Sequence, residues 1–423
     1  MDEARQTTTQ ESNYKVAGID VHKNMLAVVV TDAAEVGEYR FERRKFGAAP
    51  SQLSALAEWL MAQGVKEAVM ESTAQYWKPV WQALEGKCAL HLAQAHSNRA
   101  PKGRKRDFAD AERLVKRHIA GELILSFVPD PQQRLWRMIT RTKHQLTRDR
   151  VRLHNQLEAF LQDARIKLSS CLSDLLGVSG RDMLKALAAG EKDVAAIARL
   201  AQPELQATQA QLCDALSAAA SLSDLRRRIL HLFLQRLEMI ESQMETLNQA
   251  IAGELRDYED AVRRLAEIPG YGVDSAQQVI AEVGPKAAAF PSPGQLSSWV
   301  GTCPGREESA AVSKSDRSPK GNKQMRRVLD QVAQAAVKTK GSVFQALYRR
   351  LMPRLGYKKT IWAIANRLCR LTWKVLHQGV TYEERGQCPH PTVKRRRTTK
   401  LVRALRDLGY SVQLTPLPTG ASA

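Results

Sequence analysis

The chain has 423 residues, with 64 Lys plus Arg against 44 Asp plus Glu, a formal charge of +20 and 43% apolar residues. At about 150 residues per domain that is room for roughly three domains, which excludes a disulfide-stapled miniprotein, and the apolar share excludes a disordered polycation. A folded surface this basic favours a polyanion, because each neutralised phosphate releases counterions, so nucleic acid is the leading partner class. The six cysteines (Cys88, Cys171, Cys213, Cys303, Cys369, Cys388) form no CxxC pair and no Cys/His cluster at zinc spacing, which fits a reduced cytosol. The opening MDEARQTTTQESNY lacks an apolar signal core, and no run reaches about 18 apolar residues. The expectation is a soluble intracellular protein without a membrane partner.

Residues 1–14 read as a disordered tail. KVAGIDV (15–21) and MLAVVVTD (25–32) then flank the polar turn His22-Lys23-Asn24, and 37–47 alternates as a third strand. A helix over 51–61, a strand over 67–73, a helix over 75–84, a strand over 89–95 and a helix starting near Asp107 follow. The order βββαβαβα over 15–128 predicts an α/β domain with a mixed sheet of the ribonuclease H-like arrangement.

Strand patterning stops at Pro129. Residues 131–166 are helical, with Leu135, Ile139, Leu146, Leu153, Leu157 and Leu161 along one side. The first half of that helix is crowded with Arg134, Arg137, Arg141, Lys143, Arg148 and Arg152, candidate nucleic-acid contacts whose bland alternative is a solvated face. A second pattern spans 222–266, and 180–220 reads as short helices. Two long amphipathic helices around an insertion predict an antiparallel or intermolecular coiled coil, or an ordinary bundle, as a linker and dimerisation region over 129–262.

The segment IPGYGVDSAQQVIAEVG (268–284) places Gly270 and Gly272 in a tight turn before a helix. That is helix-hairpin-helix spacing, in which glycine lets backbone N–H groups approach a phosphate; a plain capping turn has the same look. A Ser/Lys/Arg-rich loop over 305–322 and helices over 323–340, 342–352 and 358–377 complete a region 263–380. Residues 381–423 form a basic, partly ordered extension assigned only nonspecific electrostatic contact.

Asp20 ends the first strand and Glu71 stands near the end of the fourth, neighbours in such a sheet. Asp107 and Asp110, spaced i, i+3, share one face of a first helical turn. Four carboxylates in one place repel unless cations lie between them, and hard oxygens suit Mg²⁺ or Mn²⁺, two of which can stabilise attacking and leaving oxygens in phosphodiester chemistry. Taken singly, each acid reads as a cap or a solvated side chain; Asp107 is a good N-cap.

Ser309 lies in a small-residue stretch followed by Lys314, Arg317, Lys320 and Lys323, cations placed to hold a nucleic-acid phosphate and stabilise charge developing on it. A serine hydroxyl needs a base or metal to become a nucleophile, and no base stands nearby in the sequence, so chemistry alone leaves a loop serine.

GIDVHK around Asp20, MEST around Glu71 and GRKRDFADAE around Asp107 and Asp110 resemble the acidic tetrad of the DEDD transposases of bacterial insertion sequences, the insertion-sequence one-hundred-and-ten family. IPGYG, FPSPGQLSSWVGTCPG, EESA and KGNKQMRR, in that order, resemble the second domain of the same family, and the likeness spans about residues 15–350. The resemblance implies a RuvC-like nuclease domain, a coiled-coil linker and a C-terminal domain whose serine, Ser309 here, completes the active site. It also implies a structured element-encoded RNA that bridges donor and target DNA. Family loops often read ESAGK, whereas Ala310-Ala311-Val312-Ser313-Lys314 follows here, so Ser313 and Ser315 stay as rival nucleophiles.

The reading is a metal-dependent DNA recombinase of the bacterial cytoplasm and nucleoid, at least dimeric, in which Asp20, Glu71, Asp107 and Asp110 hold Mg²⁺ or Mn²⁺ and Ser309 forms a covalent phosphoserine intermediate. The alternatives are a Holliday-junction-type endonuclease that uses water, and a nucleic-acid-binding protein with a decayed site.

Overall fold

The computed structural model describes residues 14–33, 39–71, 74–95, 97–98, 107–304, 307–309, 312–315, 318–384 and 391–415. The chain divides after Pro129 into two compact units. The tail expected over 1–14 lies outside the described residues except for Tyr14, whose carbonyl accepts a hydrogen bond from Ala33 N.

The first unit contains β1 (Lys15–Val21), β2 (Met25–Asp32), β3 (Glu42–Gly47), α1 (Pro50–Ala62), β4 (Val65–Glu71), α2 (Trp77–Leu84), β5 (Ala89–Ala93) and α3 (Asp107–Ile119). The sheet order is β3-β2-β1-β4-β5, with β1, β2 and β3 antiparallel and β1, β4 and β5 parallel. This mixed sheet matches the ribonuclease H-like arrangement expected from the element order. Alternation along β1 sends Ala17, Ile19 and Val21 into one core with Leu56 and Leu60 of α1 and Leu84 of α2. Val16 goes into a second core with Ala111, Leu114 and Val115 of α3. Both faces are covered, which is why β1 and β2 read as nearly continuous apolar runs. The third strand starts at Glu42 rather than at residue 37, and the fourth runs Val65–Glu71 rather than 67–73. Gly64, at φ +74°, turns the chain out of α1 and lets the strand begin at once.

The second unit opens with α4 (Pro131–Asp163), capped by the Asp130 side chain, which accepts from Gln133 N. After it come α5 (Val178–Ala189), α6 (Val194–Ala198), α7 (Gln209–Ala215) and α8 (Asp224–Glu254). Trp136 pairs with Glu254 (3.2 Å), Arg150 with Glu241 (3.1 Å) and Arg226 with Asp163 (3.0 Å), so α4 and α8 run antiparallel within one chain. The short helices share a core with Leu153, Leu157 and Leu161 of α4 and Leu230, Leu234 and Leu237 of α8. The pattern expected to continue to residue 266 breaks at Leu255, which caps α8.

The remaining elements are α9 (Glu259–Ala266), α10 (Val273–Val283), α11 (Pro293–Val300), a hairpin of β6 (Glu307–Ser309) and β7 (Val312–Ser315), α12 (Lys323–Ala336), α13 (Val343–Gln378) and α14 (Pro391–Asp407). Two expected helices merge in α13, which is broken only at Gly356 with φ 71°. The basic extension contains a helix, α14. No helix among the described residues is long and apolar enough to cross a membrane.

Candidate active site

Asp20 is the penultimate residue of β1, and Glu71 is the last of β4. The two strands pair in parallel with Ile19 opposite Met70, so the next step along each strand sets Asp20 beside Glu71. Two-residue alternation puts Asp20 on the face of Val16 and Gly18, and Glu71 on the face of Val69, the face that α3 covers. Gly18 makes that cover close. A Cβ there would meet the Ala111 carbonyl oxygen and come within 2.5 Å of Val115 Cγ2, so α3 rests on bare β1 backbone. Asp110, next to Ala111, is thereby carried to Asp20.

Electrostatics report the meeting. Burial raises the Asp20 carboxyl above its usual range, and the charges of Asp110 and Glu71 raise it further, against the opposing pull of His22. Each carboxylate also has a protein partner. His22 Nε2 lies 3.0 Å from Asp20 Oδ2, Asn98 Nδ2 donates to Glu71 Oε2 at 2.9 Å, and Arg113 forms an ion pair with Asp110. Asp107 begins α3, one turn before Asp110, and its side chain lies outside the described residues. His22, Asn98 and Arg113 were not identified as site residues from sequence. Two-residue spacing from Asp20 was the available signal for His22, and three-residue spacing from Asp110 for Arg113.

The donor set fits a hard divalent cation. Asn98 is 3% exposed, and its Oδ1 has no hydrogen-bond partner among the described residues, which adds a buried neutral oxygen next to Glu71. Among the described residues, however, only Glu67, His91 and His118 hold three donor atoms within 4.8 Å of one another. Asp20, Glu71 and Asp110 are coupled but more widely spaced, as like charges are.

In the second unit, Ser309 is the last residue of β6 and pairs with Val312 across an antiparallel hairpin, where a plain loop was expected. The side chains of Ser309, Ser313, Lys314 and Ser315 lie outside the described residues. The ends of this segment are pinned together. A Cβ on Gly321 would meet the Val300 carbonyl and stand 2.5 Å from Gly301 N, so the chain passes backbone against backbone. Arg326 donates to the Gly301 carbonyl and stacks 4.2 Å from the Trp362 ring centroid. Asn322 caps α12 through Gln324 N and Met325 N. The KGNK segment is thus built for this close crossing, with Lys320 and Lys323 exposed beside it.

The other basic and glycine residues have more internal roles than their patterns suggested. Arg141 grips the buried Glu282 with two hydrogen bonds (2.8 and 2.9 Å), and Arg137 pairs with it at 3.4 Å. Burial pulls the Arg137 guanidinium down to about 10. Lys143 pairs with Asp274, Arg152 pairs with Asp149 on the surface, Arg148 is exposed, and Arg134 is half-buried. Gly270, at φ +90°, is required by α12: an added Cβ would meet the Val332 carbonyl and stand 2.6 Å from Ala336 N. Gly272 is extended and its N–H donates to Ser275 Oγ. At these two glycines the geometry is that of close packing and helix capping.

Residues 17–166 match a family profile described as "Transposase", and residues 262–349 match one described as "Transposase IS116/IS110/IS902 family". The "Putative transposase y4pF/y4sB" of Sinorhizobium fredii (strain NBRC 101917 / NGR234) is 25% identical over 182 residues, 41% of this chain and 46% of that protein. The match therefore spans less than half the length of that relative. A Thermus thermophilus RuvC structure aligns at 13% identity and a TM-score of 0.22, over 26% of this chain and 99% of that one.

Proposed function

The chain belongs to the IS116/IS110/IS902 transposase family, and from that premise we propose that it is a divalent-metal-dependent DNA recombinase. The observation that carries this reading is the seating of α3 on Gly18, which couples Asp110 to Asp20 and Glu71 at one end of the sheet. In this reading Asp20, Glu71, Asp107 and Asp110 hold Mg²⁺ or Mn²⁺, which supplies charge stabilisation for the attacking and leaving oxygens of a phosphodiester. His22, Asn98 and Arg113 orient three of the four carboxylates. Ser309 Oγ is the nucleophile: its bond to phosphorus forms as the bond to the leaving strand's oxygen breaks, and its proton passes to solvent. A hydroxyl of the incoming strand reverses the step, so the phosphodiester energy is conserved. Lys320 and Lys323, with the basic side chains of α4 that remain exposed, bind the nucleic-acid backbone.

Residues 15–128 act as the nuclease domain, 129–262 as linker and dimerisation region, and 263–380 as the serine-bearing domain. The working form is a homodimer or higher oligomer in which one protomer's serine meets the other's carboxylates. A structured RNA encoded by the element guides both DNA partners by base pairing.

The test is cleavage of labelled DNA with guide RNA and Mg²⁺. Asp20→Asn, which removes the charge and keeps the shape, lowers cleavage by orders of magnitude in a folded protein. Near-normal cleavage by Asp20→Asn removes Asp20 from the mechanism. Binding without cleavage by the unaltered chain under every divalent ion leaves a nucleic-acid-binding protein.

A further inference from the structure

Two-residue alternation along β4 puts Glu67 on the same face as Glu71, four residues back and so about 13 Å away along the strand. His118 is in the last turn of α3, eight residues past Asp110 and so about 12 Å further along its axis. At this far end Glu67, His91 of β5 and His118 come together. His118 Nε2 lies 2.6 Å from Glu67 Oε2, and His91 Nε2 lies 3.2 Å from the same oxygen. The two imidazole rings are 4.5 Å apart between centroids.

Hydrogen bonding does not fully account for this arrangement. His91 Nε2 is buried and has no partner in hydrogen-bonding geometry among the described residues. Both oxygens of the Glu67 carboxyl are engaged, Oε1 by the Tyr14 hydroxyl and Oε2 by His118. Nearby cations are engaged elsewhere: Lys116 lies over the Phe41 ring and Arg117 donates to the Ser97 carbonyl.

We propose that Glu67, His91 and His118 form a second metal site, of the zinc class, that pins the C-terminal end of α3 to β4 and β5. Two imidazoles and one carboxylate suit a borderline-soft transition metal and disfavour Mg²⁺, so the site is chemically distinct from the all-oxygen set at the other end of the helix. Tetrahedral donors about 2.1 Å from zinc stand roughly 3.4 Å apart, so the two separations from Glu67 Oε2 need to open by less than about 1 Å. Water takes the fourth position. Tyr14, whose hydroxyl donates to Glu67 Oε1, holds the carboxylate from behind. The site is at the last turn of α3, toward the negative end of the helix dipole, which favours a cation.

Co²⁺ titration of the full chain without nucleic acid tests this, read by the visible band of tetrahedral cobalt. The expected result is one tetrahedral Co²⁺ per chain in both the unaltered protein and Asp20→Asn. The band is lost in His118→Gln and in His91→Gln, and affinity falls about 10- to 100-fold in Tyr14→Phe. Zn²⁺ raises the melting temperature of the first two proteins and leaves His91→Gln unmoved. Circular dichroism separates loss of the site from loss of the fold; should His118→Gln unfold, His91→Gln on the edge strand carries the same comparison. Absence of the band in the unaltered chain, or its persistence in a folded His91→Gln, overturns the proposal.

Discussion

Replacing Gly18 with alanine adds one methyl group between β1 and α3. The new carbon would meet the Ala111 carbonyl and stand 2.5 Å from Val115 Cγ2, while unstrained carbon contacts lie at about 3.5 Å, so α3 must retreat by roughly 1 Å. Overpacking of this kind costs about 1–3 kcal/mol. The reduced freedom of the unfolded chain returns about 0.4–1 kcal/mol, because the residue is in a strand and needs no positive φ. At about 4 °C per kcal/mol for a unit of this size, the net loss is a melting temperature lower by up to about 10 °C. The functional loss is larger. A 1 Å displacement of α3 moves Asp110, and misplacement on that scale costs on the order of 10²-fold in rate. Differential scanning calorimetry and a single-turnover cleavage assay measure the two effects. A Gly18→Ala protein with unchanged melting temperature and cleavage would refute the argument that bare β1 backbone seats the helix.

Four further outcomes are expected. The Asp20 pKa is raised in the folded state, so the stability it contributes is full below about pH 3.8 and is lost as pH rises through the folded value; Asp20→Asn therefore makes the metal-free protein more stable at neutral pH. Mg²⁺ at 100 times its dissociation constant stabilises the unaltered chain by about 2.7 kcal/mol, and chemical denaturation shows most of this missing in the variant. Glu282→Gln leaves Arg137 and Arg141 without their counter-charge and costs about 3–5 kcal/mol by urea titration; a loss under about 1 kcal/mol would show the cluster to be incidental. Affinity for any long RNA falls steeply with salt, yet a structured guide RNA outcompetes random RNA of equal length at physiological salt, and equal competition would contradict guided recombination.

The sheet was legible because its strands are β-branched runs punctuated by polar turns, and Asp20 and Glu71 were legible as acids at strand ends. Other features needed the third dimension. Gly18 looks like any strand glycine until α3 is laid across it. Asn98 is a buried amide in a turn, with no periodicity to mark it. His91 and His118 are far apart in sequence, and only the β4-β5 pairing with α3 above it joins them to Glu67. The arginines of α4 read as one basic face, but Arg137 and Arg141 turn toward a glutamate 141–145 residues later. The hairpin around Ser309 is hidden by its small residues, which carry little strand signal in an isolated sequence.

The covalent step is the point on which the account turns. The unaltered chain is incubated with guide RNA, Mg²⁺ and labelled DNA, then denatured and digested, and the DNA-bearing peptide is sequenced. The expected result is DNA attached to Ser309, no adduct when Asp20 or Glu71 is neutralised, and no adduct or strand exchange in Ser309→Ala, which still binds both nucleic acids. DNA on Ser313 or Ser315, free ends with no adduct, or full strand exchange by Ser309→Ala would contradict it.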